Sequence, residues 1–189
     1  MEAARPGCCP ACGAASRPLG LGVVLVGHGV RERQVRGPAA AGSRGVTTMI
    51  RIRRYRCRGC EAVTTVVPKA IAARRHFSAA AIGLALALFA GGASGRQVRE
   101  RVAGADGLWW SWPSLRRWID AAGRIFRSVR STPADWSRRR RAERAAATLA
   151  SFAPVALAGE TLAVQAFAGA ALAARGSPRP CSSVDRCPP

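Results

Sequence analysis

Groups that carry acid–base and nucleophilic catalysis are scarce in this chain. Its 189 residues hold two histidines (His28 and His76), one tyrosine (Tyr55) and ten carboxylates that do not group in sequence. The usual acid, base and nucleophile sets are hard to assemble from that stock, so the expectation is a non-enzyme with no small-molecule substrate. Lysine is almost missing: Lys69 is the only one, and 29 of the 30 basic residues are arginine. A GC-rich coding bias explains arginine in place of lysine but not the shortage of acids. The N-terminus lacks a charged start followed by an apolar run, since residues 1–10 are polar and proline-broken; no signal peptide is expected, and the compartment is read as cytoplasmic. In a reducing compartment, paired cysteines point to metal before disulfide.

What is present in excess is positive charge. The formal net charge is +20, which implies a polyanionic partner, nucleic acid or an acidic membrane surface. Residues 1–75 carry 14 basic and 3 acidic side chains, 76–95 none, 96–144 carry 13 and 5, and 145–189 carry 3 and 2, so the basic surface lies before residue 145.

The pattern predicts an α+β protein. Strands are expected over 21–26, 46–55 and 62–67, the second from the alternation of Val46, Thr48, Ile50 and Ile52 with Thr47, Met49, Arg51 and Arg53, and a Gly/Ala/Pro-rich loop over 37–45. Beyond 77 the pattern turns helical. Ser78 caps a first apolar helix that Gly91 and Gly92 end, and Ser94-Gly95-Arg96-Gln97 has the capping-box spacing for a second helix to Ala103. A third helix is expected from 111–114 to about Val129, with Leu115, Trp118, Ile119, Ala122, Phe126 and Val129 on one side and Arg116, Arg117, Asp120, Arg124 and Arg127 on the other. The resulting division is a small β zinc ribbon over 1–76, a helix-turn-helix-like region over 77–130, an alanine-rich helical extension broken near Pro154 over 131–176, and a disordered, proline-rich tail over 177–189.

Cys9-Pro10-Ala11-Cys12-Gly13 and Cys57-Arg58-Gly59-Cys60 are two Cys-x-x-Cys pairs, 44 residues apart. Each such turn can aim two sulfurs at one point, and two turns supply the four thiolates of a closed tetrahedral zinc site. Structural Zn2+ on Cys9, Cys12, Cys57 and Cys60 is therefore expected, with Cys8 an alternative to Cys9 and Cys181 and Cys187 bystanders. Few large apolar side chains precede residue 68, so metal binding, worth roughly 10–16 kcal/mol in small zinc modules, would decide whether this part folds.

Cys-Pro-x-Cys-Gly, then Gly27-His28-Gly29-Val30-Arg31-Glu32-Arg33, then Ile52-Arg53-Arg54-Tyr55-Arg56-Cys57-Arg58-Gly59-Cys60, resembles the N-terminal zinc ribbon of bacterial insertion-sequence transposases and, nearer still, a bacterial domain of unknown function, family 6431. There the ribbon runs into a Leu-Pro segment and a Tyr-Ser helix start, where this chain has Val67-Pro68 and Phe77-Ser78. The stretch from Gly92-Ala93-Ser94 to Ser114-Leu115-Arg116-Arg117-Trp118-Ile119 is similar to the helix-turn-helix that follows the ribbon. The resemblance covers about residues 8–130 and implies zinc on the four cysteines and DNA contact from the third helix. Glu61 stands where a knuckle glycine is expected, and the loop from Gly104 to Trp110 is longer than the usual turn.

Transposase catalysis needs a domain with three metal-holding carboxylates, and the acids beyond residue 130 are Asp135, Glu143, Glu160 and Asp185. The leading expectation is thus a DNA-binding protein, either a transposase-derived fragment or a stand-alone regulator. Duplex DNA is its partner, and a second copy of the chain is a further candidate. Arg117 and Arg124 would read base edges, while Arg116, Arg127 and the ribbon arginines Arg51, Arg53, Arg54 and Arg56 would hold phosphates. The competing reading for the helix arginines is a solvated face on which Asp120 pairs with Arg116 and Arg124. Two other functions compete. One is a membrane-associated protein using the uncharged run 79–93, the nearly uncharged 145–174 and Arg138 to Arg141 as anchor, although the first run is below the roughly 20 residues that span a bilayer. The other is a zinc-dependent interaction module presenting tryptophans 109, 110, 112, 118 and 136.

Overall fold

The structure, a computed structural model, describes residues 5–68, 70–71, 76–104 and 112–175. It is α+β. Strands β1 (Leu25–Pro38), β2 (Gly45–Cys57) and β3 (Val63–Val66) form one antiparallel sheet in the order β1-β2-β3. Helices α1 (Ala79–Ala90), α2 (Gly95–Ala103), α3 (Pro113–Asp120), α4 (Ala122–Ile125), α5 (Arg138–Ala150) and α6 (Leu162–Arg175) follow, with a 3-10 turn at Val155–Leu157. Two compact units divide these residues: one takes in the chain up to Arg33 and Met49–Pro68, the other Gln34–Thr48 and the helices.

In the first unit, β2 and β3 begin and end within two residues of the expected bounds, and Arg53 to Arg56 pair with Val66 to Val63. The first strand is a correction. Residues 21–24 precede it, with Leu21 73% exposed, and it runs on through residues 27–32, all exposed, to Pro38. No apolar alternation marks this segment, because the ladder with β2, and not burial, makes it a strand. Its far end belongs to the second unit: the Arg36 N–H donates to the His76 carbonyl at 2.6 Å, and the Ser78 N–H to the Arg36 carbonyl at 3.1 Å.

The second unit is built round α1. Ser78 Oγ accepts the Ala81 N–H at 3.0 Å, and residues 79–87 are all buried. A helix apolar on every side has to be surrounded, and α2, α3, α5 and α6 all pack on it. Small residues set the spacing. A Cβ on Gly83 would lie 2.5 Å from the Ala166 carbonyl oxygen, and one on Gly169 only 1.8 Å from that of Leu149. Phe77, Trp112 and Trp118 close the α3 side edge to face, with ring centroids 4.8–5.9 Å apart. The Ser94–Gln97 capping box of α2 is complete, with Ser94 N–H to Gln97 Oε1 at 2.8 Å and Gln97 N–H to Ser94 Oγ at 3.3 Å.

The third helix is the second correction. It stops at Asp120, Ala121 leaves helical geometry, α4 lasts one turn, and Phe126 is extended. Gly123 explains why the chain can double back, since a Cβ there would sit 2.9 Å from the Val129 carbonyl oxygen. Leu115, Trp118, Ile119, Ala122, Phe126 and Val129 are nonetheless all buried. Asp120 does not support its own helix. It accepts from Arg141 Nη1 at 3.0 Å.

The four-arginine run forms the first turn of α5 behind the cap Ser137, whose Oγ accepts the Arg140 N–H at 3.3 Å. Cations at a helix N-terminus oppose its dipole, and local partners offset this. Arg139 stacks on Phe89, Arg140 lies 4.0 Å from the Trp136 ring centre, and Arg141 holds Asp120. Among the described residues no helix is long and apolar enough to cross a membrane. The tail 177–189 with Cys181 and Cys187, most of the loop from Gly104 to Trp110, and Trp109 and Trp110 lie outside the described residues.

Candidate metal centre

Two turns of the same construction carry the sulfurs. In the first, the Gly13 N–H donates to the Cys9 carbonyl at 2.8 Å and the Cys9 N–H to the Ala14 carbonyl at 2.8 Å. In the second, the Glu61 N–H donates to the Cys57 carbonyl at 2.9 Å and the Cys57 N–H to the Ala62 carbonyl at 3.0 Å. In both, the residue after the second cysteine is left-handed, Gly13 at φ 76° and Glu61 at φ 62°. The fold therefore requires at 61 the conformation that glycine adopts freely, and meets it with a glutamate whose carboxylate binds Arg56. The turns are tied through the segment before β1: the Val24 N–H donates to Ser16 and the Arg58 N–H to Val24. Leu25, fully buried, packs against Cys9 and Cys57.

The four Sγ atoms lie within 4.8 Å of one another, with Cys9 to Cys60 at 3.7 Å and Cys12 to Cys57 at 3.8 Å. Thiolates about 2.3 Å from a tetrahedral zinc have S–S edges of about 3.8 Å, so the Cys9–Cys60 and Cys12–Cys57 edges already have the length such an ion would set. The site can hold a metal ion, and an all-sulfur donor set is compatible with zinc. It is Cys9, and not its neighbour Cys8, whose sulfur joins the cluster from the first turn. His28 is exposed on β1 and stands apart from the cluster.

The electrostatics of the metal-free cluster are frustrated. Burial resists ionisation of Cys9, but the N–H groups of Cys12 and Ala11 and the thiols of Cys60 and Cys12 bring its pKa down to about 7. For Cys60 the Ala62 N–H favours the thiolate, yet Cys12, burial, Cys9 and Cys57 together push it up to about 12. Cys12 is helped by the Ala14 N–H and the Cys60 thiol but is raised by burial, Cys9 and Cys57. One thiolate forms readily and its neighbours then resist; a dication removes the conflict.

The arginines of β2 do not share one face, and those of α3 and α4 do not share one helix. By strand alternation, Arg51 and Arg53 share one face of β2, while Arg54 and Arg56 share the other. Arg116 and Arg117 are exposed on α3, whereas Arg124 is on α4 and Arg127 lies past its end. The shared helical arc expected for these four is therefore broken after Arg117. Sequence reasoning missed Arg130 and Arg141, which line a cleft with Arg124. Gly123 within an otherwise helical pattern was the available signal of the fold-back that forms it.

The model of a family described as a domain of unknown function (DUF6431) matches residues 9–94. The matched stretch begins on the first cysteine of the cluster and ends on the cap of α2, so it takes in all four cysteines, the three strands and α1. The arginines of α3, α4 and α5 lie beyond it. No curated protein and no solved structure matches the chain.

Proposed function

We propose that the chain is a zinc-ribbon DNA-binding protein, acting as a stand-alone regulator or a transposase-derived fragment and not as an enzyme. The observation that carries this reading is the arginine excess, +20 in 189 residues, with Arg51, Arg56, Arg116 and Arg117 exposed. The sulfur spacing supports zinc as the resident ion. Zinc, four-coordinate and without an open position, would hold the two turns together and supply no reactive water. Arg117 on α3 is the candidate for base contact, and Arg51, Arg53, Arg54, Arg56, Arg116, Arg124 and Arg127 are candidates for phosphates. Asp135, Glu143 and Glu160 are all exposed.

The test is duplex binding by fluorescence anisotropy across a salt series with zinc-loaded protein. The logarithm of affinity should fall linearly with the logarithm of salt, Arg53→Ala should reduce that slope by about one without altering sequence preference, and Arg117→Ala should flatten a selected motif. Absence of duplex binding at about 50 mM salt would sink the proposal.

A further inference from the structure

A cleft of about 310 Å³ opens where the chain doubles back after α3, between the α4 turn and the first turns of α5. Three arginines line it, Arg124, Arg130 and Arg141, against one carboxylate, Asp120, already engaged by Arg141 at 3.0 Å. Arg124 and Arg130 are exposed and form no ion pair among the described residues. Arg141 Nε is buried without a hydrogen-bond partner there, although the same guanidinium binds Asp120 through Nη1. A buried charged donor left unpaired is costly until an acceptor reaches it. The wall between these arginines is Arg130 to Thr132, whose N–H groups donate to no backbone carbonyl among the described residues. Pro133 holds Thr132 away from helical geometry, and Ser131 and Thr132 line the same cleft.

We infer that this cleft binds a single phosphate group. Guanidiniums present paired donors in a plane that matches two oxygens of a phosphate, and hydroxyl and N–H donors serve the remaining ones. The excess of two positive charges suits a phosphate better than a neutral polar ligand. The volume, at the small end for ligand pockets, is ample for a phosphate group. The inference deepens the DNA reading, on which it rests only for the source of the phosphate, the duplex backbone. A free nucleotide or inorganic phosphate has the same chemistry.

The test uses the full-length zinc-loaded chain, isotopically labelled for NMR. It is titrated at constant ionic strength with inorganic phosphate, with a nucleoside monophosphate and with a mixed-sequence duplex, for the native chain and for Arg130→Ala and Arg124→Ala. Both substitutions are at exposed positions, and unchanged spectra elsewhere would verify their folding. Saturable shifts at Arg124, Arg130, Ser131, Thr132 and Arg141 are expected in all three titrations. Arg130→Ala should weaken phosphate binding about tenfold and lower the duplex salt slope by about one. Shifts with the small phosphates but no duplex binding anywhere would keep the site and remove DNA as its source, together with the DNA reading. Duplex binding that leaves the cleft resonances and the Arg130→Ala slope unmoved, with no response there to either small phosphate, would overturn the site and spare the DNA reading. No response to any of the three would overturn both.

Discussion

Glu61 shows how far a single residue can depart from its pattern without losing the site. Left-handed geometry costs a non-glycine residue about 1–2 kcal/mol, and the exposed Arg56 partner returns at most about 1 kcal/mol. Glu61→Gly should therefore strengthen the ribbon by at most about 1 kcal/mol once the entropy of glycine and the lost Arg56 pair are deducted, whereas a branched Glu61→Val, which tolerates the left-handed region less well than glutamate and loses the pair, should weaken it by about 1 kcal/mol. Competition for zinc against a chelator would read both, because folding and metal binding form one equilibrium in small zinc modules. Cys57→Ser should abolish that binding; full zinc retention would remove Cys57 from the site.

The same assay has a pH dependence whose sign follows from the thiols. Cys9 titrates near 7 and Cys60 near 12, and Cys12 is raised above its usual value, so below pH 7 all three carry protons that a metal must displace. Apparent affinity should fall as pH falls, by about tenfold per displaced proton for each pH unit. A flat affinity between pH 7 and 5 would mean that these sulfurs are not the ligands.

At the scale of elements, legibility followed the range of the interaction. The start of α1, the box of α2 and the extent of β2 were readable because Ser78, Ser94 with Gln97, and the Val/Thr/Ile alternation act within a few residues. The clustering of the four cysteines was readable because each turn is local, although the 44-residue gap between the pairs is not. What escaped depended on distant partners. The exposed half of β1 is held by its neighbour strand, and α3 was overextended because Phe126 and Val129 are buried, as helical spacing requires, but reach the core through a fold-back. Helix packing was invisible for the same reason: nothing near Gly169 announces the Leu149 carbonyl that will lie against it. Gly169→Ala should push α5 and α6 apart and lower stability by about 2–3 kcal/mol, a fall readable by thermal melting of the helical signal. Gly159→Ala, where a Cβ meets nothing within 4 Å, should shift it by less than about 0.5 kcal/mol. Equal effects at the two positions would show that the α5–α6 approach does not limit stability.

On the scale of the whole molecule, the two units draw stability from different sources. The buried apolar cluster of the ribbon is Leu25 between Cys9 and Cys57, whereas the helical unit buries Trp118, Ile82, Leu84, Leu86, Leu149, Val98 and Val102 almost completely. A fully buried large apolar side chain contributes roughly 1.5–3 kcal/mol, so Leu25 together with Ile52 and Tyr55, the other large buried side chains of this unit, cannot order the ribbon against its chain entropy, but a metal contribution of about 10–16 kcal/mol can. Removing metal should then unfold the chain selectively. Amide exchange in residues 5–33 and 49–68 should rise to nearly unprotected rates, while α1, α5 and α6 stay protected and the helical circular dichroism changes little. Arg36 and Ser78 form the sharpest part of the test. Their amide bonds join the far end of β1 to the start of α1 within the helical unit, so they should remain protected while residues 27–32 of the same strand exchange freely. If chelation left residues 49–57 as protected as α1, the ribbon would hold itself without metal, and the four sulfurs would lose their structural role. If it melted α1 as well, the two units would be one cooperative body, and zinc would govern the arginines of α3 along with those of the ribbon.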